Sequence, residues 1–235
     1  MLHIGILPHH PSWLKFFSNL KYIVIDEMHI YKGVFGSHFT NLIRRLGRIL
    51  DFYGSSPQFI LSSATIGNPK CFAEKLIEKK VKVIDKDYSK QNEKHYYFYN
   101  PPLRNAQLGL RKSMLGETYK ISKLLNLENI QTIIFGRSRN TVEKLLKLFV
   151  NSNLNIKHSV SAYRSGFLKR ERRKIEAGLR SRELKTIIST TALELGIDIG
   201  SVEVIILMGY PGSLASFFQQ AGRAGRDEEN SLCIM

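Results

Sequence analysis

The chain has 235 residues, enough for one large domain or two small ones, and at that length roughly 70% of the extended-chain surface can be buried. Its 35 Lys and Arg against 20 Asp and Glu leave a net charge of +15, which favours a polyanion such as nucleic acid over acidic small molecules, with an anionic membrane surface as the competing partner. No apolar run approaches the roughly 18 residues of a membrane span, no signal-type segment opens the chain, and Cys71 and Cys233 have neither disulfide-framework nor zinc-ligand spacing, so a cytoplasmic protein with no membrane partner is expected.

Taken in chain order, the first strand is expected at 22–25, where YIVI runs into Asp26 and Glu27. An amphipathic helix at 37–52 follows, then a strand at 58–62, a helix at 69–79 and a strand at 81–84. The character changes between 85 and 107, which is polar, then aromatic in HYYFYN, then broken by Pro101 and Pro102. This stretch reads as a linker, with HYYFYN a candidate edge strand. Beyond it, helical patterns at 108–127, 140–151, 168–180 and 213–221 alternate with strand patterns at 132–135, 156–160, 186–189 and 202–208. Continuous apolar strands separated by helices indicate an α/β fold with parallel sheets covered on both faces, which bind ligands at the carboxyl ends of their strands. The expected domains are 1–86, a linker at 87–107, and 108–235.

Chemistry-bearing residues gather where such a fold would use them. DEMH ends the first strand, LSSATIGNP follows the second, TIIFGRSRN closes a strand of the second half, ISTTALELGIDIGS follows another, and QQAGRAGRDEEN lies near the end. Small, hydroxylated or cationic residues just after a strand or at a helix terminus can meet phosphate. In order and spacing these segments resemble motifs II to VI of the superfamily 2 DExH-box helicases. MLHIGILPHHPSW, YGSSPQFILSSATIGNP, SAYRSGFLKRERRKIEAGLRSREL and GYPGSLASFFQQAGRAGR are similar to the Hrq-type and YprA-like repair helicases, over nearly the whole chain.

The resemblance implies two RecA-like lobes of the P-loop NTPase helicase fold, ATP and Mg²⁺ as cofactors, and 3′ to 5′ movement along DNA in repair. The DNA partner would be single-stranded, or a duplex with a single-stranded tail. By the same resemblance Asp26 holds Mg²⁺ and Glu27 orients and deprotonates the attacking water, since phosphoryl transfer wants one carboxylate for metal and one for water. His29, Ser63 and Thr65 would couple the nucleotide and nucleic-acid sites. Gln219, Arg223 and Arg226 would face the γ-phosphate, and Gly196 and Asp198 would touch the nucleotide sugar and the DNA backbone. Arg137, Ser138, Arg164, Ser165, Gly166, Thr190 and Thr191 would hold successive phosphates of one strand. Simpler roles exist for several: Ser63 or Thr65 as a helix cap, and His29 as a hydrogen-bonded loop histidine. The basic run 169–185 reads either as a phosphate contact or, as most such runs do, as a solvated helix face.

One element is missing from these 235 residues. No Gly is followed by Lys, so the G-x-x-x-x-G-K-[ST] phosphate loop is absent. The expectation is an internal portion of a helicase, with the first lobe truncated at its N-terminus and no cysteine-rich zinc-binding tail. The isolated chain would then be catalytically incompetent unless a separately encoded N-terminal fragment supplies the loop. The alternative is a non-catalytic DNA-binding remnant, and an unrelated Rossmann-like α/β enzyme leaves the arginine motif unexplained.

Overall fold

The largely apolar segments YIVI and QFIL form β1, Tyr22–Ile25, and β2, Gln58–Leu61, which pair in parallel with Ile25 opposite Leu61. The computed structural model describes residues 1–64, 66–86, 88, 93–152, 155–164, 166–193, 202–225 and 230–235. It divides into two compact units, Met1–Tyr88 and Ser89–Met235. Each has its own core.

In the first unit the short α1, Leu14–Ser18, precedes β1, and α2, Gly33–Phe52, and α3, Pro69–Ile77, follow β1 and β2. α2 buries Ile43, Leu46 and Leu50, one stripe at helical spacing. Ile43 joins Ile25, Met28, Ala73, Leu76 and Ile77, against which Ile23, Phe59 and Leu61 of the strands pack. Strand side chains alternate between faces, so Tyr22, Val24 and Ile60 point the other way and are exposed.

The second unit is built on β3, Lys94–Tyr97, the antiparallel hairpin of β4, Leu103–Asn105, and β5, Leu110–Arg111, and then a regular alternation. This runs α4, Met114–Leu127; β6, Thr132–Phe135; α5, Arg139–Val150; β7, Val160–Tyr163; α6, Lys169–Arg180; β8, Thr186–Ser189; β9, Val204–Leu207; α7, Leu214–Ala221; and β10, Ser231–Ile234. Six strands make one all-parallel sheet in the order β3-β10-β9-β6-β8-β7. β6, β8 and β9 are buried at every position, as interior parallel strands must be when helices cover both faces. Ile133, Ile187 and Ile205 pack with Leu179, Phe217 and Ala221 on one face, and Ile134, Ile188 and Ile206 with Val142, Leu145 and Phe149 on the other.

Three expected elements differ from those found. The strand expected at 81–84 does not form: Ile84 is 87% exposed, and the Val81 N–H turns back to Glu74 Oε1 at 3.4 Å. The strand expected at 156–160 is a 3₁₀ turn, Asn155–Ser159, in which Ser159 Oγ donates to Ile156 O at 2.8 Å, and pairing starts only at Val160. The helix expected from 108 starts at Met114, because Leu110 and Arg111 are taken up by the hairpin. The boundary between the units falls between Tyr88 and Ser89, so β3 and β4, within the stretch read as a linker, belong to the second unit. Among the described residues no helix is long and apolar enough to cross a membrane.

Candidate functional site

The parallel pairing of β1 with β2 sets the tips of both strands side by side, and this brings DEMH against LSSA. Ser62 is the joint. Its N–H donates to Ile25 O at 3.0 Å and its carbonyl accepts from Met28 N–H at 2.9 Å. Its hydroxyl donates to Asp26 Oδ1, which also accepts from Glu27 N–H at 2.9 Å. Glu27 takes a left-handed conformation, φ +50° and ψ +43°, a strain of about 1–3 kcal/mol for a residue with a Cβ. The strain turns the chain so that Asp26 stays exposed while Met28 and His29 go inside.

His29 is 7% exposed and its Nδ1 stands between two groups. Ala64 N–H donates to it at 3.3 Å, and Glu27 Oε2 lies 3.3 Å away. One ring nitrogen therefore stands between the acid that ends the first motif and the backbone of the second. Ser63 Oγ donates to Ala64 O at 2.8 Å, and Thr65 lies outside the described residues. Ser62 was not among the sequence candidates, although the doubled serine was visible.

Among the described residues no group of three or more His, Cys, Asp or Glu could cage a metal. Mg²⁺ is commonly held by one or two carboxylates, with water and substrate phosphate supplying the rest. The exposed Asp26, with one oxygen fixed by Ser62 and the Glu27 amide, fits such a role. A surface cavity of about 220 Å³ in the same unit, lined by Arg44, Asp51, Phe59 and Glu78 among others, includes none of the candidate residues.

The turn that follows is pinned by α2. Adding a Cβ at Gly36 would put it 2.3 Å from Tyr31 O, and the Tyr31 ring stacks on Phe39 with centroids 3.8 Å apart. Gly36→Ala is therefore expected to push Tyr31, and the DEMH turn with it, off the helix at a cost of about 1–3 kcal/mol. Trp13, the one tryptophan, lies in this unit. A lower urea midpoint by tryptophan fluorescence is the expected readout, and an unchanged midpoint would contradict the close approach.

In the second unit, β7 and β6 flank β8 in register, Tyr163 and Phe135 both opposite Ser189. Arg137, Thr190, Thr191, Arg164 and Gly166 therefore line one rim at the carboxyl ends of neighbouring strands, about 4.8 Å apart. Ser138 sits there too, but its Oγ accepts from Thr141 N–H at 3.1 Å and so caps α5. Arg164 is held by Glu143 at 2.9 Å and lies over Phe167 at 5.1 Å, so binding a phosphate would mean exchanging partners. Ser165 lies outside the described residues.

α7 ends with Gln219 half-buried and Arg223 only 6% exposed, both engaged in contacts. Lys94 Nζ of β3 donates to Ala221 O at 3.0 Å, satisfying a carbonyl at the helix end, and Ala224 bridges to Val202. Gly196, Asp198 and Arg226 lie outside the described residues.

Residues 2–72 match the DEAD/DEAH box helicase model and residues 117–228 the helicase conserved C-terminal domain, together most of the chain. The chain is 50% identical over 238 residues to the uncharacterized ATP-dependent helicase YprA of Bacillus subtilis, covering all of this chain and 32% of that protein. It is 40% identical over 243 residues to the ATP-dependent helicase HRQ1 of Saccharomyces cerevisiae, covering all of this chain and 23% of that protein. Among solved structures it matches the DUF1998 helicase MrfA bound to DNA, with a TM-score of 0.94 and 50% identity over all of this chain and 32% of that one. MrfA bound to DNA and AMPPNP matches with a TM-score of 0.92 and 49% identity, over all of this chain and 33% of that one. The chain thus spans about a third or less of each of these four relatives.

Proposed function

Because the chain belongs to the superfamily 2 DExH-box helicases of the Hrq and YprA type, we propose that it forms part of an ATP-dependent DNA helicase, moving 3′ to 5′ and acting in DNA repair. The hydrogen-bonded joint at Ser62 carries this reading. It ties the acid proposed for the metal, Asp26, to the strand tip of the second motif, and His29 ties the acid proposed for water, Glu27, to Ala64. A motor needs such a linkage, since hydrolysis must be felt elsewhere in the protein.

In this reading Asp26 would hold Mg²⁺, which when bound would compensate charge on the phosphates. Glu27 accepts a proton from the attacking water, and Gln219, Arg223 and Arg226 oppose the charge that develops on the transferred group. Ser63 and Thr65 relay the state of the site, and Gly196 and Asp198 hold the nucleotide sugar. Arg137, Arg164, Ser165, Gly166, Thr190 and Thr191 hold phosphates of one strand without reading bases, which suits a motor that must pass over any sequence. Ser138 adds its hydroxyl there only as an extension of its capping role.

The 235 residues contain no phosphate loop, and positioning is most of the catalysis in phosphoryl transfer. Alone, they are expected to bind single-stranded DNA weakly and without sequence preference, and to show no DNA-stimulated ATP hydrolysis. A fragment carrying the loop of a relative is expected to restore it. Binding should weaken with salt, log affinity falling by about 0.7 per phosphate contact for each unit of log salt. Salt-independent binding would contradict the phosphate rim, and hydrolysis by the unaided chain would contradict the need for the loop.

A further inference from the structure

α6 carries an arrangement of charge that the proposed function leaves unused. Eight basic residues fall between 169 and 185. Arg172 Nε donates to Phe167 O at 3.1 Å, Arg182 pairs with Glu203 at 3.2 Å, and Arg180 is likewise engaged. Lys169, Arg170, Arg173 and Lys174 are exposed, and among the described residues their side chains have no ion pair or hydrogen bond.

These four stand at i, i+1, i+4 and i+5, so they share one face over two turns, the pairs about 6 Å apart along the axis. The acids of the helix do not serve them. Glu171 turns back to accept from Leu168 N–H at 3.1 Å, and Glu176 accepts from Tyr163 OH at 3.0 Å. Burial and that carboxylate push the Tyr163 phenol up to about 12, so it remains a donor throughout the neutral range. The opposite face is locked. Leu179 lies in the core with Ile175 against it, and a Cβ on Gly178 would lie 3.0 Å from Leu184 Cδ1, so the helix cannot roll its cations inward.

We propose that this outer face of α6 is a second subsite for the phosphate backbone of a nucleic acid, taking the strand on from the rim at the ends of β6, β8 and β7. It rests on the nucleic-acid reading above. α6 follows β7 and packs beside it at the sheet edge, so its first turn starts at the rim and the cationic face leads away from it. Two cationic pairs at this rise suit side chains as long as Lys and Arg reaching successive phosphates. An anionic membrane fits less well, because surface-bound helices insert an apolar face, and here that face is committed to the core.

The test uses the full 235-residue chain and fluorescent single-stranded oligonucleotides of increasing length, titrated across salt concentrations. One variant carries Lys169→Gln, Arg170→Gln, Arg173→Gln and Lys174→Gln. A charge-matched control carries Lys70→Gln, Lys75→Gln, Lys80→Gln and Lys82→Gln in the first unit. In the α6 variant the slope of log affinity against log salt should fall by roughly 2 to 3, as expected for losing three or four phosphate contacts. The affinity gained on lengthening the oligonucleotide should fall with it, and the control should keep both. Equal losses in the two variants would reduce the effect to net charge and overturn the subsite, as would no loss in either. Loss of binding to anionic phospholipid vesicles, with DNA binding intact, would overturn it in favour of a membrane. If the unaltered chain fails to bind DNA at all, the nucleic-acid reading itself falls. If it binds and the α6 substitutions change nothing, the subsite alone falls. Matching circular dichroism melts of the two variants guard against misfolding.

Discussion

Glu27→Gln is expected to lower ATP hydrolysis by roughly 10²- to 10⁴-fold in the chain complemented with a phosphate-loop fragment, with DNA binding unchanged. The amide keeps the size of the acid and can still meet His29 Nδ1, which stands 3.3 Å from Glu27 Oε2, but it cannot take a proton from water. Separation of binding from turnover is therefore the informative outcome. Arg226→Ala should also abolish turnover, by about 10³- to 10⁵-fold, through loss of a charge that opposes the transition state. Steady-state ATPase assays with and without DNA check both, and normal turnover by the Glu27→Gln protein would show that water is activated elsewhere.

Phe149→Ala is expected to destabilise the second unit by about 3–5 kcal/mol. Phe149 is fully buried, packs with Leu145 and Ile134, and meets the Tyr119 ring edge-on at 5.0 Å. A loss of that size is a large share of the roughly 5–15 kcal/mol that holds a domain folded. Hydrogen exchange at the amides of β6 and β8 should accelerate by at least two orders of magnitude, since about 1.4 kcal/mol is tenfold. Retained protection would mean that the two helices above that face hold the sheet without this ring.

The alternation of strands and helices was legible because burial on both faces writes uninterrupted apolar tetrads: TIIF, TIIS and VIIL are each wholly buried. The helices at 140–151 and 213–221 were legible too, but not their caps: Ser138, read as a phosphate contact, and Ser213, read as a first helical residue, each accept from an amide three residues on. What failed was pattern without a partner. VKVI at 81–84 alternates like a strand, yet pairing needs a neighbour and none adjoins it among the described residues. Residues 108–113 fit a helical period, but the antiparallel pairing of Leu103 with Arg111 outcompetes it. At the candidate site the acids and the serine motif were legible as types in order. The role of Ser62 was not, because it depends on which hydroxyl the parallel register sets opposite Asp26.

β10 is the last strand among the described residues, yet it lies inside the sheet, with β3 on one side and β9 on the other. A ribosome delivers β3 long before the one neighbour it needs. β6 and β7 find a shared neighbour as soon as β8 is made, whereas β3 is made first and has no neighbour until 231–234 arrive, on the order of ten seconds later at ordinary elongation rates. For that interval β3, with its tyrosines, and the outer edge of β9 are both open templates for other strands. Nascent chains stalled before 231 should accordingly draw chaperones, and release of these few residues should end that dependence.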